Sequence, residues 1–285
     1  MFIPWKLSAG SYRLNHSGLA AKLPLRGTAP GLRGLSLNWN GQRLSWPGPL
    51  LAVRTIQFAG APPIDMRFSG SPPDHRLRAG LLDILLDRND RFPARVQVYW
   101  DTSRRHRIEM QILATTIDEF EKFEVTTWSQ VPQTGRSSHR SECLVSVSAH
   151  AGRWVDVHEA STLAADWLVV PRDETCAALS LDRRHPPAGK SVLAPPFHSP
   201  IVCYRPAGKN WSYIEMSHPE DCIRIVARPR PKSIEWGFGL FGLDIEKGVI
   251  LRGRILGAFI PRRRDLHIAE KIFGKFLAEP PHLSV

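Results

Sequence analysis

Apolar and polar residues alternate along most of this chain in short runs of period two. Leu35-Ser36-Leu37-Asn38-Trp39, Ala94-Arg95-Val96-Gln97-Val98-Tyr99-Trp100 and Ile108-Glu109-Met110-Gln111-Ile112 are the clearest, and Phe123–Trp128, Leu144–Ser148 and Trp154–Val157 continue the pattern. Successive side chains of a strand point to opposite faces, so each run predicts a strand with one face in a core and one face wet. Asn40-Gly41 sits between two such runs and predicts a tight hairpin. Leu50–Phe58 predicts a strand, Ile64–Phe68 a further short one, and Leu81–Leu86 fits either a strand or a helical turn. The last third repeats the style at Pro200–Tyr204, Trp211–Glu215, Cys222–Val226, Ser233–Gly237 and Val249–Leu256.

One segment departs from period two. From Asp265, the residues Leu266, Ala269, Ile272, Phe273, Phe276 and Leu277 recur at helical spacing, with Lys271 and Lys275 on the other face. Asp265 is the expected N-cap and Pro280-Pro281 the expected stop. Helices alternating with strands, which a parallel α/β fold requires, are missing. The fold expected is all-β, a large antiparallel β-sandwich with one C-terminal helix. The expected organisation is a single domain over residues 1–285; the alternative is two β domains divided near residues 132–140, the most linker-like stretch in the middle of the chain.

Composition changes this picture little. Apolar residues make up 42% of the 285, enough for a sizeable core. The 24 prolines and 21 glycines fall as punctuation between runs. The charge is +11, with Arg prominent and acids interspersed, which favours anionic partners or keeps the chain from self-associating. Cys143, Cys176, Cys203 and Cys222 are far apart and form no CxxC pair, so free thiols in a reducing cytoplasm are expected. The first residues do not read as a signal peptide, and no run reaches the roughly 18 apolar residues of a membrane span, so no membrane partner is expected. No HxH or HExxH pair, phosphate-binding loop or nucleophile elbow is present, so neither a metal nor a cofactor is expected. Gly237-Phe-Gly239-Leu-Phe-Gly242 is glycine-spaced without a phosphate-loop context and reads as an aromatic-rich bend.

The densest chemistry lies between Trp211 and Arg254. On a strand over 211–215, Trp211, Tyr213 and Glu215 share one face, expected to be wet, and His218 leaves at the strand's end. A carboxylate and an imidazole there make Glu215 and His218 the candidate acid/base pair. Beyond Glu246-Lys247-Gly248, Arg252 and Arg254 alternate around Gly253 and form a candidate cradle for an acidic group. Tyr99, Trp100 and Asp101 join two aromatics to a carboxylate at a strand end, a pattern suited to sugar rings. Trp211 and Tyr213 complete the candidate binding residues. Each of these also has a plain structural reading, as a core aromatic or a solvated charge.

The stretch Ser212–Pro219, with Glu246–Arg252, Phe259–Arg262 and Gln97–Trp100, resembles a family of uncharacterised bacterial proteins, which brings no activity with it. The size and the all-β pattern resemble the supersandwich fold of the galactose mutarotases. That resemblance implies binding or processing of carbohydrate, and in aldose epimerases a His acid and a Glu base. The run Asn-His-x-Tyr-Phe-Asn-Leu of those epimerases is absent here, and a shared fold does not carry chemistry with it. The leading expectation is a protein that binds or processes a carbohydrate, a related polyol or an acidic small molecule. The alternatives are a non-enzymatic protein docking an acidic partner and, less favoured, a binder of single-stranded nucleic acid.

Overall fold

The computed structural model describes residues 5–8, 11–16, 19–24, 31–66, 75–78, 81–85, 94–101, 106–116, 118–135, 139–146, 154–158, 168–171, 180–181 and 199–280. Five strands come first: β1 (Trp5–Ser8), β2 (Ser11–His16), β3 (Leu19–Pro24), β4 (Arg33–Trp39) and β5 (Gln42–Trp46). Then follow β6 (Ala52–Gln57), β7 (Ile64–Asp65), β8 (His75–Arg78), β9 (Leu81–Leu85), β10 (Ala94–Asp101), β11 (Arg107–Thr116) and β12 (Phe120–Pro132). The later strands are β13 (Glu142–Ser146), β14 (Trp154–Asp156), β15 (Leu168–Pro171), β16 (Ser180–Leu181), β17 (Ile201–Arg205), β18 (Trp211–Ser217), β19 (Cys222–Pro229), β20 (Ser233–Ile245) and β21 (Ile250–Pro261). A helix, α1 (Asp265–Ala278), closes the described chain.

The strands form three antiparallel sheets. β1 to β5 make an N-terminal meander in sequence order. A nine-stranded sheet runs β14-β13-β17-β18-β21-β11-β10-β9-β8, and a seven-stranded sheet runs β16-β15-β19-β20-β12-β6-β7. Both larger sheets take strands from before and after residues 132–140. The sequence is thus an antiparallel β-sandwich with a C-terminal helix. Asn40 and Gly41 take positive φ, 47° and 82°, as a primed two-residue hairpin requires between β4 and β5.

One continuous core joins the three sheets, from Trp5 and Leu23 through Trp46 and Trp100 to Phe238 and Phe259. Trp46, at the end of the meander, is its anchor on the sandwich. Its ring lies 5.0 Å from that of Trp211 and 4.9 Å from that of Phe259. A second core lies on the far side of the nine-stranded sheet, where Ile214, Met216, Leu256, Ala258 and Ile260 meet Ala269, Ile272, Phe273 and Phe276 of α1. The face of β18 expected to be wet, that of Trp211, Tyr213 and Glu215, lies instead inside the sandwich, and α1 covers the opposite face. All seven residues of β18 are buried, because the sandwich covers one side and the helix the other.

Two local expectations are corrected. Asp265 is the first residue of α1, and the N-cap position is Arg264 in the left-handed region at φ 58°. The Asp265 carboxylate is drawn away from capping by Arg205, whose Nε and Nη2 donate to it at 2.9 and 2.8 Å, and by the Ser212 hydroxyl at 2.5 Å. Burial alone would raise its pKa, but these donors and the Arg205 charge hold it below the usual carboxylate range. The segment Gly237–Gly242 is the interior of β20, bulged at Phe241 and Gly242 with φ of 78° and 66°. Its first glycine permits a close strand approach, since a Cβ on Gly237 would stand 2.0 Å from the Thr127 carbonyl oxygen. Leu81–Leu85 resolves as strand. Cys143, Cys203 and Cys222 are buried free thiols, while Cys176 lies outside the described residues. No described helix is long and apolar enough to cross a membrane.

Truncating the anchor should loosen the meander first. Trp46→Ala should cost about 3–5 kcal/mol of stability by denaturant unfolding. Hydrogen exchange should show β1 to β5 losing protection while β11, β18 and β21 keep theirs, whereas uniform loss across all strands would refute the anchoring role.

Candidate functional site

The nine residues singled out in the sequence divide between the two faces of a single sheet. In β18, β21 and β10 alternate side chains point to opposite sides. Trp100, Trp211, Tyr213 and Glu215 point inward, between the nine- and seven-stranded sheets. Tyr99, Asp101, Arg252 and Arg254 point to the outer side, the side α1 packs on. His218 follows β18 and joins that side too, its ring 6.5 Å from the ring of Phe276. Glu215 and His218 are therefore not brought together.

The inward group is a closed constellation. Glu215 is 2% exposed. Its Oε1 accepts from the Ser129 hydroxyl at 2.5 Å and the Tyr213 hydroxyl at 2.7 Å, and its Oε2 accepts from Trp236 Nε1 at 2.7 Å. Ser129 in turn accepts from the Leu51 backbone N–H at 2.9 Å, and Trp100 Nε1 donates to the Leu51 carbonyl at 3.1 Å. Gly257, opposite Glu215 in the β18–β21 register, makes room for the phenol: a Cβ there would stand 2.5 Å from the Tyr213 hydroxyl oxygen. Burial pushes the Glu215 carboxyl up to about 7, against the pull of its three donors. Tyr213 and Glu215 were expected on a wet face and Trp100 and Trp211 as stacking platforms. All four are buried: Trp46, Trp236 and Phe259 pack around Trp211, Tyr213 and Glu215 and fill the space a ring would need, and Trp100 lies in the same core with its indole N–H on Leu51.

The outer face carries a different arrangement. Cross-strand register sets its residues in rows. Tyr99 stands opposite Gln111, and Gln111 opposite Arg254, whose carbonyl accepts from the His218 N–H at 3.3 Å. One row away are Gln97, Leu113 and Arg252; on the other side are Asp101, Glu109 and Leu256. Arg254 and Glu109 pair at 2.9 Å with side chains 6% and 7% exposed. Gln111 Nε2 donates to the same Glu109 oxygen at 3.0 Å. Arg254 Nη1 donates to the Glu279 carbonyl at 2.7 Å, and its guanidinium lies 4.5 Å from the centre of the Phe276 ring. The half-buried His218 ring is held below its ordinary pKa by burial and by Arg254, with Glu220 pulling the other way.

Three polar atoms on this face are enclosed yet have no hydrogen-bond partner: Gln111 Oε1, Arg252 Nε and Arg254 Nη2. Gln111 is 2% exposed and Arg254 5%. Buried polar groups are normally matched, so three unmatched atoms on adjacent rows form the strongest mark of a ligand site among the described residues. Glu246 and Lys247 take no part; they are exposed in the turn between β20 and β21. Among the described residues no group of three His, Cys, Asp or Glu side chains could hold a metal ion.

Sequence reasoning missed Glu109 and Gln111 on the outer face and Ser129 and Trp236 inside. The run Ile108–Ile112 did hold the signal for the first two: two long polar side chains alternate there with apolar ones. Nothing in the sequence paired Ser129 or Trp236 with Glu215, since they are 86 and 21 residues away.

No protein-family model and no curated protein sequence matches the chain. Solved structures do. A GalM/aldose epimerase homologue from C. elegans superposes with a TM-score of 0.55 at 11% identity, covering 88% of this chain and 99% of that one. A galactose mutarotase related enzyme from Lactobacillus acidophilus superposes with a TM-score of 0.53 at 7% identity, covering 88% and 97%. The likeness runs over most of both chains at an identity that carries architecture alone. The chain has the fold of the galactose mutarotase and aldose epimerase proteins.

Proposed function

We propose that this protein binds a carbohydrate or related polyol on the outer face of the nine-stranded sheet, beside the C-terminal end of α1. The observation that carries this reading is the trio of unmatched atoms: one acceptor on Gln111 and two donors on Arg252 and Arg254. A ligand rich in hydroxyls both donates and accepts, and so can satisfy both kinds. Tyr99, half-buried in the same row, supplies an aromatic ring against the apolar face of a sugar. The neighbours of this fold carry epimerase and mutarotase names, which agrees with a sugar ligand. Three buried free thiols fit a reducing compartment such as the cytoplasm.

A second reading concerns Glu215. A carboxyl held near 7 lies in the range of a general acid or base, which favours sugar chemistry between the sheets. Its three donors and its burial favour a structural role, and His218 would have no part in either case. The outer-face reading is therefore preferred.

Two measurements separate these roles. Gln111→Leu removes the unmatched acceptor; binding of the best member of a monosaccharide panel should weaken by about tenfold while the melting temperature changes by only a few degrees. Equal binding by the variant, or tight polynucleotide binding with no response to any sugar, would defeat the outer-face reading.

Glu215→Gln tests the inner carboxyl. Because its folded pKa of about 7 exceeds the 4.5 of an ordinary glutamate, the folded state holds this proton more tightly. Its stabilising contribution is full below about pH 4.5 and is lost as pH rises through 7, by on the order of 3 kcal/mol. Wild type should lose stability relative to Glu215→Gln across that window, and parallel pH–stability curves would show the carboxyl to be ordinary. Loss of sugar turnover in a folded Glu215→Gln variant would promote the second reading.

A further inference from the structure

The unmatched atoms on the outer face also specify what kind of polyol fits. Arg254 commits Nε to Glu109 and Nη1 to the Glu279 carbonyl, and Nη2 remains enclosed without an acceptor. Arg252, half-buried in the next row, has an enclosed Nε without an acceptor. Among the described residues no carboxylate stands within ion-pair distance of it. The Asp101 carboxylate belongs to the row beyond Arg254, two rows from Arg252. Charge on this patch does not cancel: Glu109 offsets Arg254, and Arg252 is left over.

Two unmet N–H donors on neighbouring rows and one unmet acceptor beside them make a definite pattern. A carboxylate offers two oxygens, one for each donor, and a single negative charge for the single uncompensated guanidinium. A hydroxyl on the neighbouring carbon then donates to Gln111 Oε1. A neutral sugar would satisfy the acceptor and leave the half-buried Arg252 guanidinium without a counter-ion. A phosphate dianion would bring more charge than the patch has in excess. We infer that the ligand is a sugar acid, a polyol with a carboxylate beside a hydroxyl, gripped by Arg252 and Arg254 with Gln111 reading the hydroxyl. The inference rests on the outer-face reading and narrows it.

Calorimetry on the full-length chain with D-gluconate, D-glucuronate, D-glucose and D-glucose 6-phosphate tests this. The acids should bind about tenfold or more tightly than glucose, as a charge-assisted contact predicts. Their binding should weaken with salt while that of glucose holds. In Arg252→Ala the acids should fall to within about twofold of glucose. Should that variant fail to fold, Arg252→Gln provides the same comparison, and an unchanged acid preference in it would overturn the inference. Equal affinity of wild type for glucose and the acids would also overturn it, while leaving the outer-face site standing. Tighter binding of the phosphate than of either acid would reassign the ligand class. Silence from all four compounds would remove both the inference and the reading beneath it.

Discussion

A carboxylate sealed between two sheets sets the terms for the rest of the structure. Glu215 takes hydrogen bonds from Ser129 on β12, Tyr213 on its own strand and Trp236 on β20. It thereby pins the nine-stranded sheet to the seven-stranded one at a fixed register. Apolar packing is non-directional and tolerates sliding. A buried acceptor with three donors does not, because any shift strands polar groups away from water. Leu51 and Trp100 extend the clamp one step further, to the turn before β6 and to β10. The cost is visible in the carboxyl itself, whose pKa rises to about 7.

The inner face is occupied by this clamp and by Trp46, Trp211, Trp236 and Phe259, and the proposed ligand site lies on the other side of the same sheet. There α1 covers β17, β18 and part of β21 with apolar contacts, and its last turn meets a strip of charge. Phe276 shows both roles: it belongs to the helix-side core and also lies against the Arg254 guanidinium. The helix thus ends where the polar rows begin, and the unmatched atoms lie along that boundary. This is a common place for a site, where rigid strands aim side chains and an element edge leaves them short of partners.

The likeness to epimerases and mutarotases fits this layout at the level of architecture. It does not transfer chemistry, since sites are grafted on folds residue by residue. In this chain the carboxylate on β18 is enclosed by hydroxyl and indole donors, and the imidazole three residues later faces the helix.

The sequence by itself determined most of the long strands, the hairpin at Asn40-Gly41 and the helix from Asp265, because period and turn chemistry are local properties of the chain. It also determined that Trp211, Tyr213 and Glu215 share a face and that Arg252 and Arg254 share another, since alternation along a strand is geometry. Which of those faces is wet was decided only by tertiary structure. A helix more than forty residues downstream closes one side of β18, and partners as distant as Ser129 close the other. Gln111 came to stand opposite Arg254 only when β11 was set beside β21, 143 positions away by register. Periodicity records that a side chain has a face; only the packing of remote segments decides what that face meets.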